Sequence, residues 1–401
     1  MADPVTLLAN WLEGLLLGAG LAPGLVVFLM KLLGVVAISS FVLVVAILLV
    51  WIERKVVARF QDRLGPNRLG PWGLIQPIAD VIKLLIKEDI TPDGADRVPY
   101  NLAPIIALAT VLLLWAVIPL APTILGSDIN VGVLYIVSAG AISTLGIIMA
   151  GWASNNKYAL LGAFRTVAQM VSYEVPMVVS LLVPVILANS MGINRIVEAQ
   201  NIWFIVIAPI AGLIFFVTSI AEIGRAPFDL VEAESEIVAG FHIEYTGMKF
   251  GLFYAGELLH ALTVGALFSS LFLGGWRGWG AEAFPLLGVV YLFLKAFLGY
   301  YVIMWVKYSV PRIRIDHMLA LNWKFLTPLS LTVLIMTAIL HKLLENTSSL
   351  VYTGGMLLAN LILGWITLAI INRYARLQRM NFEEDRPVAR PAEAPAASSM
   401  S

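Results

Sequence analysis

The sequence predicts an all-α protein that crosses a membrane many times. Of its 401 residues, 60% are hydrophobic and only 13% are charged, a balance typical of polytopic membrane proteins. The apolar residues form separate runs that are long enough to span a bilayer, and the basic residues lie almost entirely on one side of the resulting topology. We therefore predict one transmembrane domain over residues 1–380 and a disordered tail over 381–401, where Pro, Ala, Ser and Glu predominate.

Nine apolar segments meet the length expected of a transmembrane helix. They cover about 24–52, 101–122, 130–153, 166–191, 202–222, 249–273, 285–306, 325–342 and 350–372. The chain has 26 Lys and Arg, and the connections on one side hold only Lys31, Arg195, Arg277 and Lys342. Because basic residues are retained in the cytoplasm, this division places the N-terminus outside and the C-terminal tail in the cytoplasm.

An amphipathic helix is predicted near 71–88, in the first cytoplasmic connection. Gln76, Asp80, Lys83 and Lys87 recur at helical spacing, and the opposite face is apolar. The segment is too short to span the bilayer, so it is expected to lie in the plane of the membrane surface. The spacing of its polar residues is compatible with two roles: the helix could be a simple membrane anchor, or it could line a site.

An unusual concentration of acidic residues follows the fifth apolar segment, in a cytoplasmic loop over 222–248. The loop holds Arg225 and these carboxylates: Glu222, Asp229, Glu232, Glu234, Glu236 and Glu244. At a membrane surface, desolvation and mutual repulsion raise carboxylate pKa values towards neutrality, where such groups can pass protons. The alternative interpretation is a solvated acidic loop.

Four further ionisable residues lie within the predicted spans. Glu174 is expected about 12 Å into the fourth span, where an unpaired charge is costly. Glu257 and His260 share one face of the sixth span, and Lys295 lies in the seventh. A Glu257–Lys295 ion pair would offset both desolvation costs, and it could be structural or part of a proton path.

Several other kinds of site are excluded or disfavoured by the sequence. The chain has no Cys, so it holds no disulfide and no cysteine-ligated iron–sulfur cluster. Its four His residues lack a metal-binding spacing, and we predict no metal site. No glycine-rich phosphate loop is present, and neither nucleotide nor nucleic acid is expected as a ligand.

Five motifs, in this order, carry a resemblance to a known family. They are Glu53-Arg54-Lys55 with residues 63–67, residues 76–80, residues 151–174, residues 225–234 with Glu244-Tyr245, and residues 311–316. Together they resemble the quinone-site membrane subunit of respiratory complex I, called the H subunit in bacteria and subunit 1 in mitochondria. The resemblance extends over roughly residues 30 to 340.

This resemblance implies a subunit of a proton-translocating NADH:quinone oxidoreductase that itself holds no redox centre. The quinone chamber of the family corresponds here to Arg63, Asp80, Lys83, Arg225, Phe228 and Asp229. The proton-coupling carboxylates correspond to Glu174, Glu222, Asp229, Glu232, Glu234 and Glu236. Quinone would be the substrate, and the resemblance does not distinguish ubiquinone from menaquinone or plastoquinone.

The resemblance also implies partners and a location. FMN and iron–sulfur clusters would belong to docked hydrophilic subunits, and small membrane subunits and antiporter-like subunits would lie alongside in the bilayer. The expected location is the bacterial cytoplasmic membrane. Three alternatives stay open at this point: the equivalent subunit of a membrane-bound hydrogenase or of a ferredoxin- or deazaflavin-fed complex, a stand-alone ion-coupled transporter, and a structural anchor for a soluble enzyme.

Overall fold

The computed structural model describes residues 4–231 and 234–384, and every regular element within these ranges is helical. The all-α polytopic fold is therefore confirmed. The helices are α1 (Pro4–Gly18), α2 (Pro23–Phe60), α3 (Gln76–Ile86), α4 (Arg97–Trp115), α5 (Gly132–Ala153), α6 (Lys157–Ala188), α7 (Ile193–Ala199), α8 (Phe204–Ile207), α9 (Pro209–Ile223), α10 (Glu234–Ile237), α11 (Gly247–Phe272), α12 (Pro285–Ser309), α13 (Ile315–Leu321), α14 (Thr327–Leu344) and α15 (Ser349–Glu384).

Eight helical segments in the described ranges are long and apolar enough to cross a membrane, against the nine predicted. They are α2, α4, α5, α6, α11, α12, the continuous segment Ile315–Leu344 that contains α13 and α14, and α15 as far as Tyr374. The predicted span at 202–222 is instead divided into α8 and α9. Pro209 lacks a backbone N–H, and Ala208 before it has a non-helical φ of −133°. With 15 residues, α9 is about 22 Å long and shorter than the hydrocarbon layer.

One helix begins earlier than predicted, and one short helix is not among the predicted elements. The helix predicted from 166 begins at Lys157, because the Asn156 side chain accepts a hydrogen bond from the Tyr158 backbone N–H at 2.9 Å and caps it. Glu174 is therefore about 26 Å, rather than 12 Å, from the first residue of its helix. The short helix α1 precedes the first span and is not among the predicted segments, since 15 residues are too few to span the bilayer.

Helix α11 lies at the centre of the bundle and is mostly buried. It packs against α2, α3, α4, α9 and α12. The contact with α12 is close because both helices present glycine: a Cβ on Gly265 would lie 2.5 Å from the Ala296 carbonyl oxygen. On the other side of α9, helix α6 packs against α5, α9 and α14. The connection from α9 to α11 therefore runs between the two most enclosed helices.

Helix α6 fixes this connection at several positions on one face. The Gln169 amide donates to the Ala221 and Phe228 carbonyls, at 2.5 and 2.7 Å. Gly162 packs so closely on Gly240 that a Cβ would lie 2.8 Å from its carbonyl carbon. At the far end of the connection, Asn156 donates to the Glu244 carboxylate at 2.6 Å. These contacts tie both ends of the acidic loop to one rigid element.

The ion pair considered between Glu257 and Lys295 is not formed. The Lys295 ammonium instead donates to three carbonyls just after the C-terminal end of α11, those of Leu273, Gly275 and Arg277, at 2.8, 2.8 and 2.9 Å. Lys295 is about 15 Å from the first residue of α12 and about 21 Å from its last, and its long side chain extends towards the N-terminal end of that helix. Glu257 lies in the N-terminal half of α11 and has another partner.

Replacing Lys295 with methionine should lower thermal stability. The change leaves three carbonyls without their charged donor, a loss of about 1–3 kcal/mol. The measurement is thermal unfolding of the detergent-purified protein, and Lys342→Met is the control because Lys342 forms only an exposed pair with Glu345. Equal unfolding temperatures for the two variants would contradict this structural role for Lys295.

Candidate functional site

A network of buried charges lies where α2, α11, α12 and the start of the acidic loop meet. Arg225 is 2% exposed and bonds Glu53 from α2 at 2.9 Å and Glu257 from α11 at 3.1 Å. The same Glu53 oxygen accepts from Lys307 at 3.0 Å and from the Tyr308 hydroxyl at 2.7 Å. We call these five residues the arginine network.

The charges in this network compensate each other. Burial by itself would lower the pKa of Arg225, but Glu257 and Glu53 raise it, and the net effect is a raised pKa and a permanent cation. Removing either kind of partner would leave a buried charge uncompensated, which is far more costly than breaking a surface ion pair. The network therefore fixes the position of the loop start relative to α2 and α11.

A large apolar cavity of about 440 Å³ lies between α2, α3 and α11. Apolar side chains line most of it, and Ala255 and Leu258 form the α11 wall. One end is charged, because Asp80 on α3 bonds Arg54 at 2.5 Å and lies 3.6 Å from the Lys83 ammonium. The cavity can therefore accommodate a long apolar molecule with a polar group at one end.

A polar cavity of about 560 Å³ adjoins it, next to the network. Charged and hydroxyl side chains from α2, α12 and the loop after α2 line it: Glu53, Arg54, Arg63, Lys307 and Tyr308. Tyr254 on α11 and Arg54 line both the apolar and the polar cavity. A ligand that fills the apolar cavity therefore lies next to the polar cavity, which Glu53, Lys307 and Tyr308 of the arginine network line.

A third, smaller cavity of about 80 Å³ lies between α4, α5, α6, α9, α11 and the acidic loop. Its polar lining consists of Ser143, Glu222, His242, Tyr254, Glu257 and His260. We call it the carboxylate cavity. Since Tyr254 lines all three cavities and Glu257 bonds Arg225, the carboxylate cavity is contiguous with the arginine network.

The predicted proton-coupling acids lie in different surroundings. Glu222 lines the carboxylate cavity and lies close enough to Glu174 for the two carboxylates to interact electrostatically. Asp229 is partly buried and lines none of the three cavities. Glu232 lies outside the described residues, and only the backbone of Glu234 is described.

Glu236 is held between two arginines. Its carboxylate bonds Arg165 of α6 at 2.6 Å and Arg312, from the connection after α12, at 2.9 Å. The hydrogen bond from Arg165 lowers the pKa of Glu236, and both arginine charges add to this effect. Glu236 therefore stays ionised at neutral pH and fastens the loop to two other segments. By contrast, burial lowers the pKa of His242, which favours its neutral form.

The residues predicted to line a single chamber do not all lie at the same cavity. Asp80 and Lys83 line the apolar cavity, Arg63 lines the polar cavity, and Arg225 lies in the network. Phe228 is 4% exposed and packs on the Tyr173 ring, 5.3 Å between centroids, so it is a core residue of the loop and lines none of the three cavities.

The predicted disordered tail covers residues 381–401. Residues 381–384 continue helix α15, and residues 385–401 lie outside the described residues.

Sequence reasoning misses several members of the site. Glu53 enters only as part of a motif, and Lys307 and Tyr308, just after the predicted span 285–306, are not identified as site residues. Glu53 is 172 residues from Arg225 in the chain, so their contact leaves no local sequence pattern. An acid near the end of an otherwise apolar span is a signal that could have identified Glu53. Within residues 4–231 and 234–384, no group of three or more His, Asp or Glu could hold a metal ion.

Comparison with known proteins gives consistent matches over this region. The family model described as NADH dehydrogenase matches residues 31–338. The H subunit of the NADH-quinone oxidoreductase of Dehalococcoides mccartyi strain CBDB1 is 51% identical over 304 residues, covering 76% of this chain and 84% of that protein. The H subunit of Geobacillus sp. WCH70 is 46% identical over 294 residues (73% and 88%), and an H subunit of Syntrophobacter fumaroxidans is 46% identical over 325 residues (78% and 96%).

Proposed function

The chain belongs to the NADH dehydrogenase family, as a membrane subunit of NADH-quinone oxidoreductase, and from this membership we propose that it forms the quinone chamber and the proton path that couples quinone reduction to proton translocation. The observation that carries the proposal is the adjacency of three features. The apolar cavity adjoins the polar cavity, which Glu53, Lys307 and Tyr308 of the arginine network line. Glu257 of the same network lines the carboxylate cavity together with Glu222, and both carboxylates are half-buried.

The apolar cavity fits a quinone in its chemistry. An isoprenoid tail would lie along the walls that α2 and α11 supply, and the head group would face the charged end formed by Arg54, Asp80 and Lys83. Arg63 in the polar cavity would meet the head group as it moves towards the cytoplasmic side. These residues bind and orient the quinone, while the electrons come from partner subunits.

The carboxylates supply the proton chemistry. Reducing a quinone to a quinol adds two electrons and two protons, so negative charge develops briefly beside the arginine network. Arg225 is a permanent cation and can stabilise that charge. If this interaction weakens the ion pair between Arg225 and Glu257, the electrostatic potential in the carboxylate cavity changes as well. Glu222 and Glu174, which interact with each other, would then exchange a proton with that cavity.

The remaining predicted acids receive distinct roles in this proposal. Glu236 keeps its negative charge and anchors the loop through Arg165 and Arg312. Asp229, Glu232 and Glu234 continue the path, and Phe228 positions the loop through its contact with Tyr173. Each assignment follows from the surroundings of the residue or, for Glu232 and Glu234, from the family resemblance.

The chain is a multi-pass membrane protein, and we propose the orientation that its basic residues indicate. The N-terminus would face outside, and α8 and α9 would together cross the membrane as one interrupted span. Both the arginine network and the acidic loop would then face the cytoplasm. Hydrophilic subunits with FMN and iron–sulfur clusters would dock over the polar cavity. Small and antiporter-like membrane subunits would lie beside this chain in the bilayer and respond to the change in protonation of its carboxylates.

Filling the apolar cavity should block the quinone. Replacing Ala255, on its α11 wall, with tryptophan should lower kcat/KM for a long-chain quinone at least about tenfold, equivalent to about 1.4 kcal/mol of lost transition-state stabilisation. The measurement is NADH:quinone activity of the purified complex against quinone concentration. Electron transfer from NADH to ferricyanide, which does not use this chamber, reports that the hydrophilic arm is intact.

Leu294→Trp is the matched control, because Leu294 is on α12, is 62% exposed towards the lipid and lines none of the three cavities. It should leave quinone kinetics unchanged. If Ala255→Trp behaves like Leu294→Trp, the quinone does not occupy this cavity, and the chamber must lie elsewhere.

A further inference from the structure

His260 occupies a position that the proposed function does not yet use. It lies on α11 one turn beyond Glu257, so the two side chains share a face of the helix. Both line the carboxylate cavity, opposite Glu222, which enters from the end of α9. In the described part of the chain, the imidazole forms no hydrogen bond or ion pair. The ring is only partly buried, and a polar group in such a position normally has a hydrogen-bond partner.

The carboxylate cavity can supply that partner as water. Its volume of about 80 Å³ exceeds the roughly 10–15 Å³ that one water centre requires. The lining also offers the polar contacts that ordered water needs: the Ser143 hydroxyl, the Glu222 and Glu257 carboxylates and the His260 ring nitrogens. A few water molecules can therefore bridge groups that do not touch directly.

We propose that His260 is a proton-relay residue between Glu222 and Glu257. A neutral imidazole accepts a proton on one ring nitrogen and releases another from its second nitrogen. Glu222 in its protonated form would lose its proton to the ring, directly or through water, and the ring would release the proton from its other nitrogen to the Glu257 carboxylate. No electron moves, and the ring returns to neutrality as its other tautomer, which cavity water converts back.

The arrival of the proton at Glu257 would act on the arginine network. Protonated Glu257 interacts less strongly with Arg225, whose remaining carboxylate partner is Glu53, at 2.9 Å. Arg225 would then be freer to stabilise negative charge on the quinone side, and Tyr254 lines the cavities on both sides of this point. The relay therefore links the state of Glu222 to the state of the quinone site.

The charged and titratable groups around His260 come from several elements. Glu222 faces it from α9, Glu257 and Tyr254 from α11, and His242 from the turn before α11, while Arg225 acts from the loop. From α12, Tyr300 lies near Arg225. Because Glu222 and Glu257 are the two carboxylates that share its cavity, they are the donor and acceptor that the geometry offers.

The test compares His260→Gln with His260→Glu in the intact complex reconstituted into liposomes. Glutamine keeps a polar side chain but cannot carry a proton, so NADH:quinone turnover should fall at least about tenfold, within the range that general acid–base groups contribute. Glutamate can carry a proton and should recover a substantial part of that loss. A solvent deuterium isotope effect larger than that of the wild type should accompany the slower His260→Gln reaction.

His341→Gln is the matched control, because His341 lies at the outer end of α14 and bonds Tyr352. NADH:ferricyanide activity shows that the hydrophilic arm of each variant is intact, and equal amounts of this chain in the purified complexes show that it is assembled. Turnover of His260→Gln within about twofold of the wild type would overturn the relay, as would equal losses in the glutamine and glutamate variants, which indicate packing alone. The relay rests on the proposed function, and Glu222→Gln separates the two: if that variant also keeps full turnover, the proton path itself has failed.

Discussion

Replacing Arg225 with methionine should destabilise the complex and nearly eliminate quinone reduction. The variant would leave Glu257 without its partner and Glu53 with only Lys307 and Tyr308, inside a part of the bundle where Glu53 is 5% exposed. Breaking a buried ion pair from one side typically costs about 3–5 kcal/mol. The measurements are the thermal midpoint of quinone reductase activity and kcat/KM for quinone.

The network also predicts how the loss can be partly reversed. Adding Glu257→Gln to Arg225→Met removes the carboxylate that is left without its partner, so the double variant should be more stable than the sum of the single changes predicts. Arg225→Lys keeps the positive charge but lacks the guanidinium group that bonds Glu53 and Glu257 at the same time. This variant should retain part of the activity. Additive effects in this cycle, or a wild-type midpoint for Arg225→Met, would contradict the account of the network.

Replacing Glu222 with glutamine should reduce NADH:quinone turnover by about a hundredfold. Glutamine has nearly the same shape but cannot release or accept a proton, and contributions of this size are usual for positioned proton-transfer groups. Glu222→Asp keeps a carboxyl group in the cavity and should retain more turnover. The measurement is the steady-state rate in liposomes made permeable to protons, so that back-pressure does not limit it.

Glu198→Gln provides the matched control, since Glu198 is exposed on α7 and its side chain contacts only Asn194. It should leave turnover unchanged. An unaffected rate in Glu222→Gln, with the complex assembled, would mean that the carboxylate cavity does not take part in the reaction.

The elements that depend on local sequence were predicted well, and those that depend on long-range packing were not. The lengths of the apolar runs identified the spans. They did not reveal that Pro209 divides the fifth predicted span, which leaves α9 shorter than the membrane is thick. The helical spacing of Asp80 and Lys83 indicated one polar face on α3, and the structure places both on the apolar cavity.

Charge partners could not be predicted from spacing. Lys295 and Glu257 have similar depths when counted from the predicted helix ends, yet the lysine extends outwards to backbone carbonyls and Glu257 bonds Arg225. Glu236 has the same acidic surroundings in sequence as its neighbours, but Arg165 and Arg312 come from other segments and fix it as an anion. The partner of each charged residue depends on which helices pack together, and a local sequence pattern does not contain that information.

The most direct test of the account is the number of protons translocated per NADH oxidised, measured in sealed liposomes with Glu222→Gln, Glu198→Gln and the wild type. The account places Glu222 on the path that couples quinone reduction to translocation. It therefore predicts that the remaining turnover of Glu222→Gln translocates fewer protons per NADH than the other two proteins. The same ratio in all three proteins, with turnover of Glu222→Gln at the wild-type rate, would contradict it.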